Sequence, residues 1–367
     1  MPIITDIVLD EWISLGETRC ASISAIAMRE PQPEIEDMPL HDAVYDPTRG
    51  KIFAVRGGRV FKFNETTLAK ENEVQYAGPT LSDSYIAYDA GRDKLWVTYS
   101  PDFVAPAGNQ FPTNDKFIYK LNADNLGIEQ SIGIGANNLE SSTPSFLCNH
   151  VIRHIRSNGG QLAFWINGFS TTNGTQFVVF NPDSLPGSIF EINGLDGTGS
   201  RWSCIEIRPS STDYLFCSDQ SFNDGIVRRT NANVFVEQSE TYPNNGINNA
   251  PPPITARIYG FAYVAANNKH YCANRSNLIL KLDATNGFGT GTAIDLGPVI
   301  DVWNIRLNPN NGLLYAPDFI GNTVAVIDPS DDSFVLKAGF EAPWDVVFTS
   351  SKAIAVQHSA EGLKEIV

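Results

Sequence analysis

Short apolar runs punctuate the whole chain, and a tight polar turn follows almost every one. Seven segments read as hairpins. They are "AVYDPTRGKIFAV" (43–55), "IAYDAGRDKLWVT" (86–98), "IRHIRSNGGQLAFW" (152–165), "IEIRPSSTDYLFC" (205–217), "FAYVAANNKHYCA" (261–273), "IRLNPNNGLLYA" (305–316) and "DVVFTSSKAIAV" (345–356). Their turns carry Pro, Gly, Asn, Asp or Ser, residues that nucleate a reversal or tolerate positive φ. Runs this short between such turns predict strands.

Six of the seven are followed by a second strand pair around an Asn- or Asp-centred turn. These are "VFKFNETTLAKENEV" (60–74), "FIYKLNADNLGIEQS" (117–131), "FVVFNPDSLPGSIFEI" (177–192), "IVRRTNANVFVEQ" (226–238), "LILKLDATNGFGTGTAIDL" (278–296) and "TVAVIDPSDDSFVLKA" (323–338). One unit is therefore four strands, and it recurs every 40 to 65 residues or so, near the spacing of blade repeats. In "TVAVID", Val324 and Val326 point one way and Ala325 and Ile327 the other. A strand apolar on both faces is packed on both faces.

This pattern predicts an all-β chain, a seven-bladed β-propeller of four-stranded antiparallel blades. The blades fall at about 41–78, 79–135, 146–195, 201–242, 257–297, 300–340 and 342–367, one domain in all. The last unit supplies only "DVVF", "AIAVQ" and "LKEIV" (363–367). The N-terminal closing segment, residues 1–40, holds two unassigned apolar runs, Ile3–Ile13 and Arg19–Met28. Either would complete the last blade and cover its edge.

A Pro-Asp-Phe step follows a strand in both "LWVTYSPDFV" (95–104) and "LLYAPDFIGN" (313–322). The longer stretch "LLYAPDFIGNTVAVIDPSDDSFV" (313–335) resembles the YVTN type of propeller repeat, with its Tyr-bearing strand, Asn-bearing loop and Val-x-Val-Ile-Asp strand. "LILKLDATNG" (278–287) is a weaker match. The resemblance to this YVTN/lactonase-like superfamily implies a seven-bladed propeller and no particular function, because the superfamily hosts hydrolases, binding modules and scaffolds alike.

In such a fold the turns between first and second strands lie on one face, and they are all short here: "PTRG", "AGRD", "SNGG", "PSST", "ANN", "PNN" and "SS". The long excursions fall on the other face: Ser100–Lys116, Asn167–Thr175, Ser218–Gly225, and the inter-unit stretches Ala136–His150 and Tyr242–Ala256. Long loops cost little extra closure entropy and collect where surface is wanted. Phe103, Phe111, Phe169, Phe222, Tyr242 and Phe319 sit in or beside the loops of this face. They stack on a sugar or fill a partner's pocket, or else fold over their own blades.

Where first strands begin, the alignment puts His41, Asp42, Asp83, Tyr85, His150, Trp202, Tyr259, Trp303, Asn304, Trp344 and Asp345 around the channel mouth. Two readings compete. One is a ligand pocket, with oxygens of Asp42, Asn304 and Asp345 holding Ca²⁺. Lactonase-type propellers place a carboxylate–amide–carboxylate metal site here, but their surrounding motifs are not matched and a glutamate is missing from the ring. The other reading has aromatics plugging the channel, with polar groups bound to water and backbone. Beyond that ring, no nucleophile elbow, His-Glu-x-x-His, P-loop or EF-hand pattern occurs, and the glycines of "GFGTGT" (287–292) read as a turn.

Net charge is −15 over 367 residues, and no Lys/Arg cluster occurs. Nucleic acid and anionic membrane surfaces are disfavoured as partners. No apolar run approaches a membrane span. Cys20, Cys148, Cys204, Cys217 and Cys272 form no Cys-x-x-Cys; the last three lie in strand runs and read as buried thiols, a Cys204–Cys217 bridge staying open. The N-terminus lacks the pattern of an export signal, so synthesis in a cytoplasm is expected. Few lysines and many Asn and Thr suit work outside cells.

Both facts fit a bacteriophage virion component, a tail or capsid accessory protein in a larger assembly that contacts a surface glycan. The leading expectation is thus a non-enzymatic binding or scaffold protein presenting one loop-rich face, with no resident cofactor. A lactonase-like metal-dependent hydrolase and a cytoplasmic assembly scaffold are the alternatives.

Overall fold

The computed structural model describes residues 40–78, 84–100, 117–134, 151–158, 160–167, 176–184, 188–191, 202–207, 213–218, 226–230, 235–238, 259–273, 276–283, 291–297, 301–358 and 362–367. All belong to the compact unit Met38–Val367. Among them every regular element is a strand, and the strands form seven antiparallel sheets, each from consecutive strands.

Sheet one is β1 (Asp42–Asp46), β2 (Lys51–Arg56), β3 (Arg59–Asn64) and β4 (Lys70–Gln75). Sheet two is β5 (Ile86–Asp89), β6 (Lys94–Tyr99), β7 (Phe117–Asn122) and β8 (Ile128–Gly133). Sheet three is β9 (Val151–Asn158), β10 (Gln161–Asn167), β11 (Gln176–Phe180) and β12 (Ser188–Glu191). Sheet four is β13 (Trp202–Ile207), β14 (Asp213–Ser218), β15 (Ile226–Thr230) and β16 (Phe235–Gln238). Sheet five is β17 (Gly260–Val264), β18 (Lys269–Ala273), β19 (Leu278–Asp283) and β20 (Gly291–Asp295). Sheet six is β21 (Arg306–Leu307), β22 (Leu314–Asp318), β23 (Thr323–Ile327) and β24 (Phe334–Ala338). Sheet seven has three strands, β25 (Pro343–Phe348), β26 (Ala353–Gln357) and β27 (Leu363–Glu365). The predicted N-terminal fourth strand lies outside the described residues. So do Cys20 and Cys148.

Alternation along the middle strands explains the stacking of sheets. Phe53 and Val55 of β2 share a core with Ile86, Leu95 and Val97 of sheet two. The intervening Ile52 and Ala54 pack with Val347, Ile354, Val356 and Leu363 of sheet seven. In β23, Ala325 and Ile327 face the core shared with sheet five, while Val324 packs with Phe340, Val346 and Ala355 toward sheet seven. Cys272 is buried in β18. The first strands also adjoin in order: β1 meets β5, then β9, β13, β17 and β21 follow, and β25 meets both β22 and β1.

The β1–β2 class of turn reaches across to the β3–β4 class of turn on the next sheet. Arg49, in the turn after β1, donates to Asp46 at the end of that strand at 2.7 Å, and also to Asp93 and Asp124 of sheet two. Arg92, at the matching place in sheet two, binds Asp89 at 2.7 Å and Asp183 at 2.6 Å. Asn267 donates to the Pro329 carbonyl at 2.9 Å, and Lys352 of sheet seven donates to the Thr66 carbonyl of sheet one at 3.0 Å. The receiving turns hold one shape. Asn64, Asn122 and Asp328 each accept a backbone N–H two residues on. Leu68, Leu126 and Asp332 close those turns at φ of 56°, 62° and 63°, a region L-residues seldom enter.

Candidate functional site

The end of the sheets where first strands begin is also where β2 ends, since Asp42 pairs with Val55. On that end the rings of Tyr259, Trp303, Trp344, Phe319, His358 and His41 form one connected group. Tyr259 meets Trp303 edge-on at 4.9 Å, and Trp303 tilts onto Trp344 at 5.2 Å. Trp344 tilts onto His358 at 5.3 Å, Phe319 stands edge-on to both, and His358 reaches His41 at 5.8 Å. All six are half-buried. Four of them were singled out for the channel mouth, and Phe319 for the loop face. His358 was not, although its place after β26 matches the end of a second strand, where the loops of this face begin.

Two carboxylates brace this end of the sheets, one of them through an indole. Asp301 Oδ2 accepts from Trp303 Nε1 at 2.8 Å. Asp318 Oδ1, from the Pro-Asp-Phe step, accepts from the N–H groups of Asp301 and Gly321 at 3.1 and 3.0 Å. Gly260 lets sheets five and six close here. A Cβ at that position would sit 2.7 Å from Asn304 Oδ1 and 2.9 Å from the Trp303 carbonyl.

One step further along the strands is a polar layer. Asp345 accepts from Arg306 at 2.9 and 2.8 Å, a two-pronged pairing, and from Asn304 Nδ2 at 2.7 Å. Asn304 Oδ1 accepts from the Ile305 N–H at 2.9 Å. Asp42 accepts from the Ala43 N–H at 3.0 Å and, across to sheet two, from the Ile86 N–H at 3.1 Å. Arg156 approaches Asp42 at 3.5 Å. Burial drives the Asp42 pKa up to about 6; the Arg156 guanidinium opposes this, nearby Asp345 adds to it, and Arg306 and the Ile86 N–H oppose it more weakly.

This arrangement does not fit the Ca²⁺ site considered for Asp42, Asn304 and Asp345. Asn304 presents its nitrogen, not its oxygen, to Asp345, and both Asp345 oxygens face a guanidinium. A hard cation needs several oxygens turned inward together. No group of three acidic, His or Cys side chains with metal-binding geometry occurs among the described residues.

Other expected members part company. Tyr85 is buried in the core between sheets two and three, with Trp96 and Phe164, and does not line the mouth. Trp202 begins β13, as expected from the alignment. Asp83, His150, Phe103, Phe111, Phe169, Phe222 and Tyr242 lie outside the described residues. Sequence reasoning missed Arg156 and Arg306. The available signal was a cation inside an apolar first-strand run, "IRHIR" and "IRL", where a charge has no solvent to face.

Past the polar layer, the first strands enclose a cavity of about 470 Å³. Its wall includes Tyr45, Tyr88, Phe261, Tyr263 and Phe348, and its charged residues are Asp42, Arg156 and Arg306. None of the six clustered rings borders it. It extends to the exposed Pro309 in the short turn after β21.

No family model matches the chain, and no curated protein matches it in sequence. Solved structures do match in fold. One is the hydrazine synthase of Kuenenia stuttgartiensis, a propeller-containing protein, with a TM-score of 0.65 at 12% identity, over 92% of this chain and 98% of that one. The fold is propeller-like. At that identity the likeness speaks to fold alone.

Proposed function

We propose that the chain is a seven-bladed β-propeller closed through its N-terminal segment, and that it works as a non-enzymatic binding protein. Closure draws support from the core shared by sheets seven and one, and from the Lys352–Thr66 contact that repeats the latch between earlier sheets. The binding reading rests on one observation: six half-buried rings gather on the face that carries the long loops. Aromatic side chains with one side dry and one side wet are favoured at binding surfaces and stack on sugar rings.

The proposed setting is a virion, as a tail or capsid accessory protein whose aromatic face meets a surface glycan while another protein holds it in the particle. A glycan array probed with the chain displayed on beads tests the aromatic face. The wild type should bind a defined subset, and a Trp303→Ala/Trp344→Ala variant should lose roughly tenfold or more of that signal. Equal signals from both would remove the face from this role. Mass spectrometry of purified source particles that finds none of the chain would remove the virion.

A further inference from the structure

We propose that the cavity along the first strands is a separate site for a small, neutral, flat aromatic molecule, held by the rings that border it and by no charge. The site stands apart from the aromatic face. It lies past the polar layer, and it reaches the surface among the short turns.

Size argues for a small molecule: about 470 Å³ falls within the range of ligand pockets, and an apolar, aromatic wall is their usual make-up. Charge argues for a neutral one. Among the described residues that border the cavity, the charged groups are already matched. Arg156 donates to the Ile155 carbonyl at 2.9 Å and faces Asp42 at 3.5 Å. Asp42 also accepts from the Ala43 and Ile86 N–H groups. Arg306 is held two-pronged on Asp345, which does not border the cavity. Two guanidiniums thus meet two carboxylates. A charged ligand would give up its water for groups that already have partners, and burying an unmatched charge is costly.

The tyrosines of the wall are committed in the same way. The Tyr88 hydroxyl donates to Asp93 Oδ1 at 3.1 Å, and the Tyr263 hydroxyl to Asn268 Oδ1 at 2.8 Å. The Tyr45 hydroxyl is hydrogen-bonded with Glu65 and Ser350. All four partners lie in turns and none borders the cavity. The hydroxyls are therefore drawn off toward the turns, and the rings are left to the wall. Phe261 and Phe348 add two more rings, and Ser157 one small hydroxyl. Water beside such a wall finds few open partners, and an apolar guest replaces it at little loss. Rings meet rings in offset or edge-on contact, which favours a flat aromatic guest over an aliphatic one.

Calorimetry of the full chain at neutral pH tests this with 3-ethylindole as the neutral probe. Tryptamine and indole-3-acetate put a cation and an anion on nearly the same frame. The neutral probe should bind with a Kd below about 1 mM, and each charged analogue at least about tenfold more weakly. Ala43→Phe, which adds a ring to the wall, should weaken 3-ethylindole by a similar factor. The Trp303→Ala/Trp344→Ala variant should keep wild-type affinity, so this site and the glycan face stand or fall separately. Absence of 3-ethylindole binding in that range, equal binding of either charged analogue, or loss of the probe in the double tryptophan variant would each overturn the proposal. So would a folded Ala43→Phe variant with unchanged affinity. The wild-type selectivity decides even if that variant fails to fold.

Discussion

The two faces of the stacked sheets are held together by different chemistry. On the short-turn face, sheet meets sheet through ionic and amide latches, with Arg49 on Asp46, Asp93 and Asp124, Arg92 on Asp89 and Asp183, and Asn267 on Pro329. On the opposite face, neighbours meet through rings: Tyr259 on Trp303, Trp303 on Trp344, Phe319 on His358. Latches satisfy polar groups and leave short turns no reason to lengthen. Rings leave area half-exposed. The division resembles the separation of stability from function that loop-bearing scaffolds commonly show.

The comparison breaks most readily at Arg49. Asp46 is fully buried, and Arg49→Ala would leave it with the Thr48 N–H at 2.8 Å but no cation. Removing one partner of such a pair costs about 3 kcal/mol, read as a lower urea midpoint with an unchanged slope. Arg49→Lys should recover only part, because a lysine cannot fork to three carboxylates. The proposed glycan binding should be untouched by either. An Arg49→Ala variant as stable as the wild type would mean that the latches are incidental.

On the ring face the corresponding change is Gly260→Ala. Its Cβ would press on Asn304 and on the Trp303 backbone, atoms with little room to retreat. The expected cost is about 2 kcal/mol, and the Trp303 environment should shift, visible as a displaced tryptophan emission maximum. Unchanged emission and stability would mean that sheets five and six approach less closely than described.

The strands were legible because both signals that define them are local. Alternation set the faces of β2 and β23, and Asn64, Asn122 and Asp328 marked turns through their own side-chain hydrogen bonds. Tyr259, Trp303, Trp344 and His41 could be grouped because they occupy like positions in successive units. Tyr85 was misplaced for a related reason: in a strand, a shift of one residue turns a side chain to the other face. It precedes β5 by one position and packs between sheets. The Arg306–Asp345 and Arg156–Asp42 pairings join residues 39 and 114 positions apart, and no period in the chain encodes which cation meets which carboxylate. The metal reading weighed those oxygens without the guanidiniums beside them.

The finest test of the division lies between the faces, at Asp42, and its effect is the smallest. The folded state holds this carboxyl at about 6 against an ordinary 3.8. Between those values the native protein binds more protons than the unfolded chain, so stability declines as pH rises through that window and levels off above pH 6. Asp42→Asn removes the titration. It also leaves one amide oxygen where the Ala43 and Ile86 N–H groups now have one carboxylate oxygen each, a loss that does not depend on pH. The variant is therefore expected to be the less stable protein at pH 4 and to gain about 2 kcal/mol on the wild type by pH 7. Urea unfolding of both proteins at the two pH values measures the difference of differences. Parallel stability profiles would mean that Asp42 is solvated rather than sealed beneath the rings.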